Sequence, residues 1–243
     1  MIPLFRLLFI RARSVVVVII LATTLCRSAW GQAIQDGGVW LAAFSQGEIQ
    51  RSFLSRHDGL WWFDAHTRYV GDAFEFLQSI VRPGIGWQLS DDQSVWVGYA
   101  WIGERIPGLD FHENRFWQQW ILNREFGDVS AVFRSRLEQR FVSVGAQAGW
   151  RFRQMIRFQK PVAKNPRLLW VAWDEIFYHL RDTDWGARTG YNQNRIFVGL
   201  GRTASSNSRR RTEIGYLYQQ IEIPEDGADL SNHILSINVF FGR

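Results

Sequence analysis

The sequence predicts an all-β protein, a closed antiparallel transmembrane β-barrel preceded by a cleaved signal peptide. Three observations carry this. The first 33 residues have the layout of an export leader. The remainder breaks into segments of about ten residues that alternate apolar and polar side chains. No later segment holds 18 consecutive apolar residues, so any crossing of a bilayer falls to strands.

The leader comes first. Arg6, Arg11 and Arg13 form a basic stretch, and Ser14 to Ala22 is a short apolar run. Ala29-Trp30-Gly31 and Gly31-Gln32-Ala33 each place small residues where a signal peptidase needs them, which predicts cleavage after Gly31 or Ala33. A spanning helix needs ~20 apolar residues, and this run is about half that length. The expected organisation is therefore a signal peptide over 1–33 and a barrel over 34–243. Cys26, the only cysteine, lies inside the leader, so the mature chain has no disulfide or thiolate chemistry. Thr23-Thr24-Leu25 ahead of it fit a lipid-attachment site poorly.

The net charge of +5 also belongs to the leader. Without Arg6, Arg11, Arg13 and Arg27 the chain keeps 24 basic against 23 acidic residues, which excludes a basic nucleic-acid-binding surface. Basic residues are nearly all arginine, with Lys160 and Lys164 as the only lysines.

Strands are predicted near 39–46, 60–70, 76–89, 94–103, 113–125, 129–141, 148–159, 167–179, 191–202, 211–221 and 232–242. In 131–141, Phe133, Leu137 and Phe141 oppose Arg134, Arg136, Glu138 and Arg140. In 147–158, Trp150, Phe152, Ile156 and Phe158 oppose Arg151, Arg153, Met155 and Arg157. A helical period of 3.6 would scatter these arginine rows. A soluble antiparallel sheet also alternates. The strands, however, exceed the usual length of roughly five or six residues and suit a tilted bilayer crossing. Trp61, Tyr69, Trp87, Trp101, Tyr178 and Tyr218 lie near strand ends, where an aromatic girdle would sit.

With both termini placed at the periplasm, Glu104–His112, Arg181–Gly190 and Ile223–Ser231 become long extracellular loops. Ser90–Gln93, Phe126–Asp128 and Ala204–Asn207 become short periplasmic turns. Eleven segments is odd, whereas bacterial single-chain barrels are even, so twelve strands are expected, with ten the alternative and a miscounted strand within 34–60. Strand 232–242 ends in alternating Leu235, Ile237, Val239 and Phe241, resembling the signal read by barrel-assembly machinery. Gly242-Arg243 departs from the usual aromatic terminus.

An apolar outside leaves a charged lumen. Arg68, Arg82, Arg115, Arg134, Arg136, Arg140, Arg151, Arg153, Arg157 and Arg195 are predicted to point inward, with Asp64, Glu113, Glu138, Glu175 and Glu213 as acidic partners. Asp174 and Glu175 are adjacent, so only one of them can point in. The arginine rows of 129–141 and 148–159 would form one basic wall. Three functions stay open. A pore would attract small anionic solutes, because a single-sign wall concentrates the opposite charge and guanidinium forks grip oxyanions. A structural barrel would be plugged by salt bridges. A lipid-modifying hydrolase would use His66 with Asp64, two residues away on one face, although no nucleophile is placed beside them. Metal-ligand spacing, phosphate loops and dinucleotide fingerprints are absent, so neither metal nor cofactor is expected. The expected partners are membrane lipids, assembly machinery and small anions.

The runs Glu113-Asn114-Arg115-Phe116-Trp117-Gln118-Gln119, Ser135-Arg136-Leu137-Glu138-Gln139-Arg140-Phe141 and Trp150-Arg151-Phe152-Arg153 resemble an uncharacterised family of Gram-negative bacteria, domain of unknown function 2490. Arg82-Pro83-Gly84-Ile85-Gly86-Trp87, Trp96-Val97-Gly98-Tyr99-Ala100-Trp101, Trp173-Asp174-Glu175 and Glu213-Ile214-Gly215-Tyr216-Leu217 fit the same pattern. The resemblance covers roughly 39–241. It implies an outer-membrane barrel and no assigned activity.

Overall fold

The computed structural model describes residues 34–49, 59–71, 74–106, 109–163, 165–204, 210–223 and 228–242. The expected signal peptide and its cleavage sites lie outside the described residues. What is described is eleven strands: β1 (Ile34–Ile49), β2 (Gly59–Val70), β3 (Glu75–Ser90), β4 (Gln93–Ile106), β5 (Leu109–Phe126), β6 (Val129–Val142), β7 (Gly149–Val162), β8 (Asn165–His179), β9 (Gly190–Thr203), β10 (Arg211–Ile221) and β11 (Leu230–Phe241).

Each strand pairs antiparallel with its sequence neighbour, and β1 closes the sheet on β11 in parallel. The expected count of twelve, or ten, is corrected to eleven. An odd count brings the first and last strands together running the same way, and a parallel ladder still pairs their backbone groups from Ile34↔Leu230 to Ser45↔Phe241. The region suspected of hiding a strand is occupied by β1 and the start of β2, with 50–58 outside the described residues. The assumption that both termini share one side fails for the same reason. The start of β1 and the end of β11 lie at opposite rims, called the first and second rim below.

Loop lengths are corrected as well. Glu104–His112 is not a long loop: β4 and β5 stay paired out to Ile106↔Leu109, so most of that stretch is strand. Gly127-Asp128 makes a two-residue turn at the second rim, with Gly127 at φ 64°, a conformation glycine adopts without strain.

Alternation sorts the two faces. The outer wall carries Leu41, Phe63, Ile85, Val97, Phe116, Phe152, Val198, Ile214 and Leu235, all exposed. The inner face is not uniformly charged. Two apolar clusters fill parts of it: Leu60, Ile80, Trp96, Ala100, Ile102 and Trp117 on β2–β5, and Val171, Phe197, Leu217 and Ile234 on β8–β11, against which Trp40 and Trp173 pack.

Large inward rings need bare backbone beside them. Gly84, Gly98 and Trp117 lie in one hydrogen-bonded row, and Trp117 lies across both glycines at 1% exposure. A Cβ on Gly98 would stand 2.3 Å from the Trp117 ring and 2.5 Å from the Pro83 carbonyl oxygen. Gly37 has no such neighbour, the nearest atom being His233 O at 3.9 Å.

Gly98→Ala is expected to lower barrel stability by about 1–3 kcal/mol through overpacking. Gly37→Ala is expected to change it by less than about 0.5 kcal/mol. Urea unfolding of the two refolded variants, followed by tryptophan fluorescence, checks the difference.

Candidate functional site: an arginine-rich lumen

The inner face carries both arginines and carboxylates, and the pairing of one set with the other defines the site. Glu138 of β6, 1% exposed, accepts from Arg151 through Nε (3.0 Å) and Nη2 (2.6 Å) and from Arg153 Nη1 (2.6 Å). Glu175 of β8 accepts from Arg153 Nε (3.0 Å) and from Arg134 Nη2 (2.7 Å). Arg153 thus bridges two carboxylates on two strands. Glu113 of β5 accepts from Arg115 Nε (2.7 Å) and Arg140 Nε (2.5 Å). Glu213 of β10 pairs with Arg157 and Arg211. The anticipated basic wall of β6 and β7 is therefore threaded with acid. Between Glu175 and its neighbour, Glu175 faces in. Asp174 is on the outer wall, where Asn194 donates to it at 2.5 Å.

Asp64 is fully buried and surrounded by donors. Arg82 reaches it through Nε and Nη2 (2.9 and 2.6 Å to Oδ2), Trp62 Nε1 lies at 2.5 Å, and His66 Nε2 at 2.5 Å. The same His66 nitrogen lies 2.8 Å from Arg82. Among the described residues no hydroxyl is hydrogen-bonded to His66. The His66–Asp64 pair therefore anchors Arg82.

Three of the anticipated arginines lack a close carboxylate. Arg136 is held by Gln119 Oε1 (2.5 Å from Nη2), with Glu138 at 3.9 Å. Arg68 donates to Gln78 Oε1 (2.8 Å) and stacks on Trp40, its guanidinium carbon 3.9 Å from the ring centroid. Arg195 stacks on Trp40 (4.9 Å) and Phe177 (4.7 Å). Gln193 and Gln219, with their amides turned to match, accept from it at 2.9 to 3.3 Å. Among the described residues no carboxylate lies within 4.0 Å of Arg68 or Arg195. Both line a cavity of about 1310 Å³ whose walls include residues from both rims, among them Val70 and Leu230 at the first and Gln46 and Thr203 at the second.

The β8–β9 loop closes part of the first rim. Asp184 accepts from the amides of Ala146 (2.8 Å) and Gln147 (3.2 Å), and Trp185 Nε1 donates to Gln147 O (2.8 Å). Trp185 lies under the Arg140 guanidinium at 4.9 Å and lines the cavity. The sequence reading missed this loop contact. It also missed Glu104, Arg211 and the inward Trp40, Trp62, Trp96, Trp117 and Trp173. Strand parity was the available signal for Trp62, Trp117, Trp173 and Arg211, which alternate in phase with Asp64, Arg115, Glu175 and Glu213.

Removing Glu138 leaves Arg151 and Arg153 buried and short of a counter-charge, so Glu138→Ala is expected to destabilise the barrel by about 3–5 kcal/mol. Gln118→Ala on the outer wall is expected to cost under about 0.5 kcal/mol. Urea midpoints of the refolded variants test this. The hydrogen bond from the Ala146 amide, supported by that from Gln147, holds the Asp184 carboxyl below its ordinary value of 3.8. A lowered pKa means the clamp is complete above 3.8 and is lost as the pH falls through the lowered value. Protection of the Ala146 and Gln147 amides against hydrogen exchange is therefore expected to hold from pH 5 to 8 and to vanish in stronger acid. In Asp184→Ala it is expected to be absent throughout.

The family described as protein of unknown function DUF2490 matches residues 37–229. An uncharacterized protein of Methylorubrum extorquens is 32% identical over 238 residues, covering 91% of this chain and 96% of the relative. No solved structure matches. The runs around Trp117, Arg136 and Arg151 that suggested the family are the same segments that build the lumen network, and the chain belongs to the DUF2490 family of proteins of unknown function.

Proposed function

We infer that the chain is exported behind a leader over 1–33 and inserted into the outer membrane of a Gram-negative bacterium. There it admits small anionic solutes to its lumen. The observation that carries the solute class is the arginine surplus. Arg68 and Arg195 line the cavity with no carboxylate within 4.0 Å among the described residues. An unneutralised guanidinium pair in a confined space attracts and orients oxyanions.

The membrane setting is supported by the outer wall. It exposes Phe63, Ile85, Phe116, Phe152, Val198 and Ile214 around the sheet, the apolar outward face that lipid covers in such barrels. Strands of 11 to 18 residues span the hydrocarbon layer when tilted. Closure leaves no sheet edge needing water. Membrane lipids are then the partners of the outer wall, and β11 is the segment offered to assembly machinery.

A plugged structural barrel is a second reading, favoured by one observation. Glu113, Glu138 and Glu175 are each gripped by two arginines, which ties β5, β6, β7 and β8 together along one side of the wall, and Arg157 of β7 reaches Glu213 of β10.

Conductance of the refolded protein in a planar bilayer under a salt gradient separates the two. Discrete, anion-preferring steps are expected. The anion-to-cation permeability ratio is expected to fall toward unity in Arg68→Gln/Arg195→Gln, because these two arginines are the uncompensated ones. A silent bilayer, with heat-modifiable gel mobility showing a folded barrel, would favour the plug.

A further inference from the structure

We propose that the Trp40–Arg68–Arg195 cluster is a binding site for a single-chain anionic amphiphile, with the oxyanion head between the two guanidiniums and the hydrocarbon chain in the first-rim mouth. This rests on the anion-admitting lumen and narrows it to a ligand class.

The head site comes from shared stacking. The two guanidinium carbons lie 3.9 and 4.9 Å from the centroid of one Trp40 ring, so they are no more than the sum of these, 8.8 Å, apart. One carboxylate bridging two guanidiniums spans roughly 8 Å between their carbons, so a single head is able to reach both. Gln78 takes Arg68 Nη1, and Arg68 Nε is buried without a hydrogen-bond partner, an unmet donor on a guanidinium that lines the cavity. Gln78, Gln193 and Gln219 fix the cations from the side while contributing no charge. Glu104 accepts from Gln78 Nε2 (3.0 Å), and Asp36 accepts from the Gly37 amide (2.7 Å); both line the cavity, and neither lies within 4.0 Å of Arg68 or Arg195.

The chain site comes from what lies above that floor. Ile34, Val70, Leu77, Ile221 and Leu230 all line the cavity at the first rim, on β1, β2, β3, β10 and β11. Val70 is two residues beyond Arg68 on β2, and Ile221 is paired with Gln193, two residues from Arg195 on β9. A hydrated inorganic anion gains nothing from such a mouth. An alkyl chain is desolvated by it, and its affinity rises with length.

The test is equilibrium dialysis of radiolabelled decanoate, hexanoate and acetate against the refolded protein in phosphatidylcholine nanodiscs, with empty nanodiscs subtracted. Saturable binding is expected to tighten roughly tenfold for every two methylenes that enter the mouth. Arg68→Gln/Arg195→Gln is expected to weaken decanoate at least tenfold. Leu77→Asn/Ile221→Asn is expected to flatten the dependence on chain length, and Arg68→Lys/Arg195→Lys to retain part of the binding. Heat-modifiable mobility selects variants that fold. Competition by phosphatidylglycerol would assign the same site to a membrane lipid, and lack of competition to an amphiphile from solution. Decanoate binding no tighter than acetate would overturn the proposal, as would equal binding of decyltrimethylammonium. If anion-preferring conductance persists in that case, the lumen reading stands and the amphiphile alone fails. If conductance and all anion binding are absent, both fail.

Discussion

Closure of the sheet on itself is the constraint from which the rest follows. The ladder between β1 and β11 joins residues about 200 positions apart in sequence and leaves no free edge among the described strands. Once it forms, every strand has an inside and an outside, and side chains two residues apart share a fate. The lumen network then needs no further folding device. β6, β7 and β8 are neighbours, so Glu138, Arg151, Arg153 and Glu175 are brought within reach of one another by pairing alone.

Inside, arginine is used in two ways. Around Glu113, Glu138 and Glu175 it forms bidentate or bridging contacts, in which two-point geometry rewards the planar guanidinium over a lysine ammonium. Around Trp40 and Phe177 it is held by ring faces and glutamine amides, which orient a cation while leaving its charge in place. The first use ties strands together. The second keeps positive potential in the cavity.

Much of this was legible in the sequence, because a period of two is simple to read when arginine and phenylalanine alternate. All eleven segments fell where the strands lie, and strand parity put Asp64, Glu138 and Arg153 on the inner face. The expected twelve came from a regularity of other barrels and not from any residue of this chain; the parallel seam removes the need for it. The loop expected over Glu104–His112 is largely strand, because β4 and β5 run on as a long hairpin. The inward tryptophans were missed because tryptophan suits an outer girdle, although the glycines beside Trp117 in its row were the local signal that its ring lies against bare backbone. Which arginine meets which carboxylate depends on register across strands, and a single sequence does not encode that openly.

The odd strand number has one more consequence. An even barrel returns its chain to the rim where it began, so both ends can be held by the same compartment. Here the polypeptide makes a net passage: it enters the sheet at one rim and leaves it at the other. Ten of the eleven joints are made by sequence neighbours, and the last must be made by two strands that no hairpin brings together. The wall thus has one seam unlike the others. Gly242 lies just beyond it, so close to Gln46 that a side chain there would meet its backbone at 2.1 Å. The seam gives the barrel a direction that its cross-section alone does not reveal.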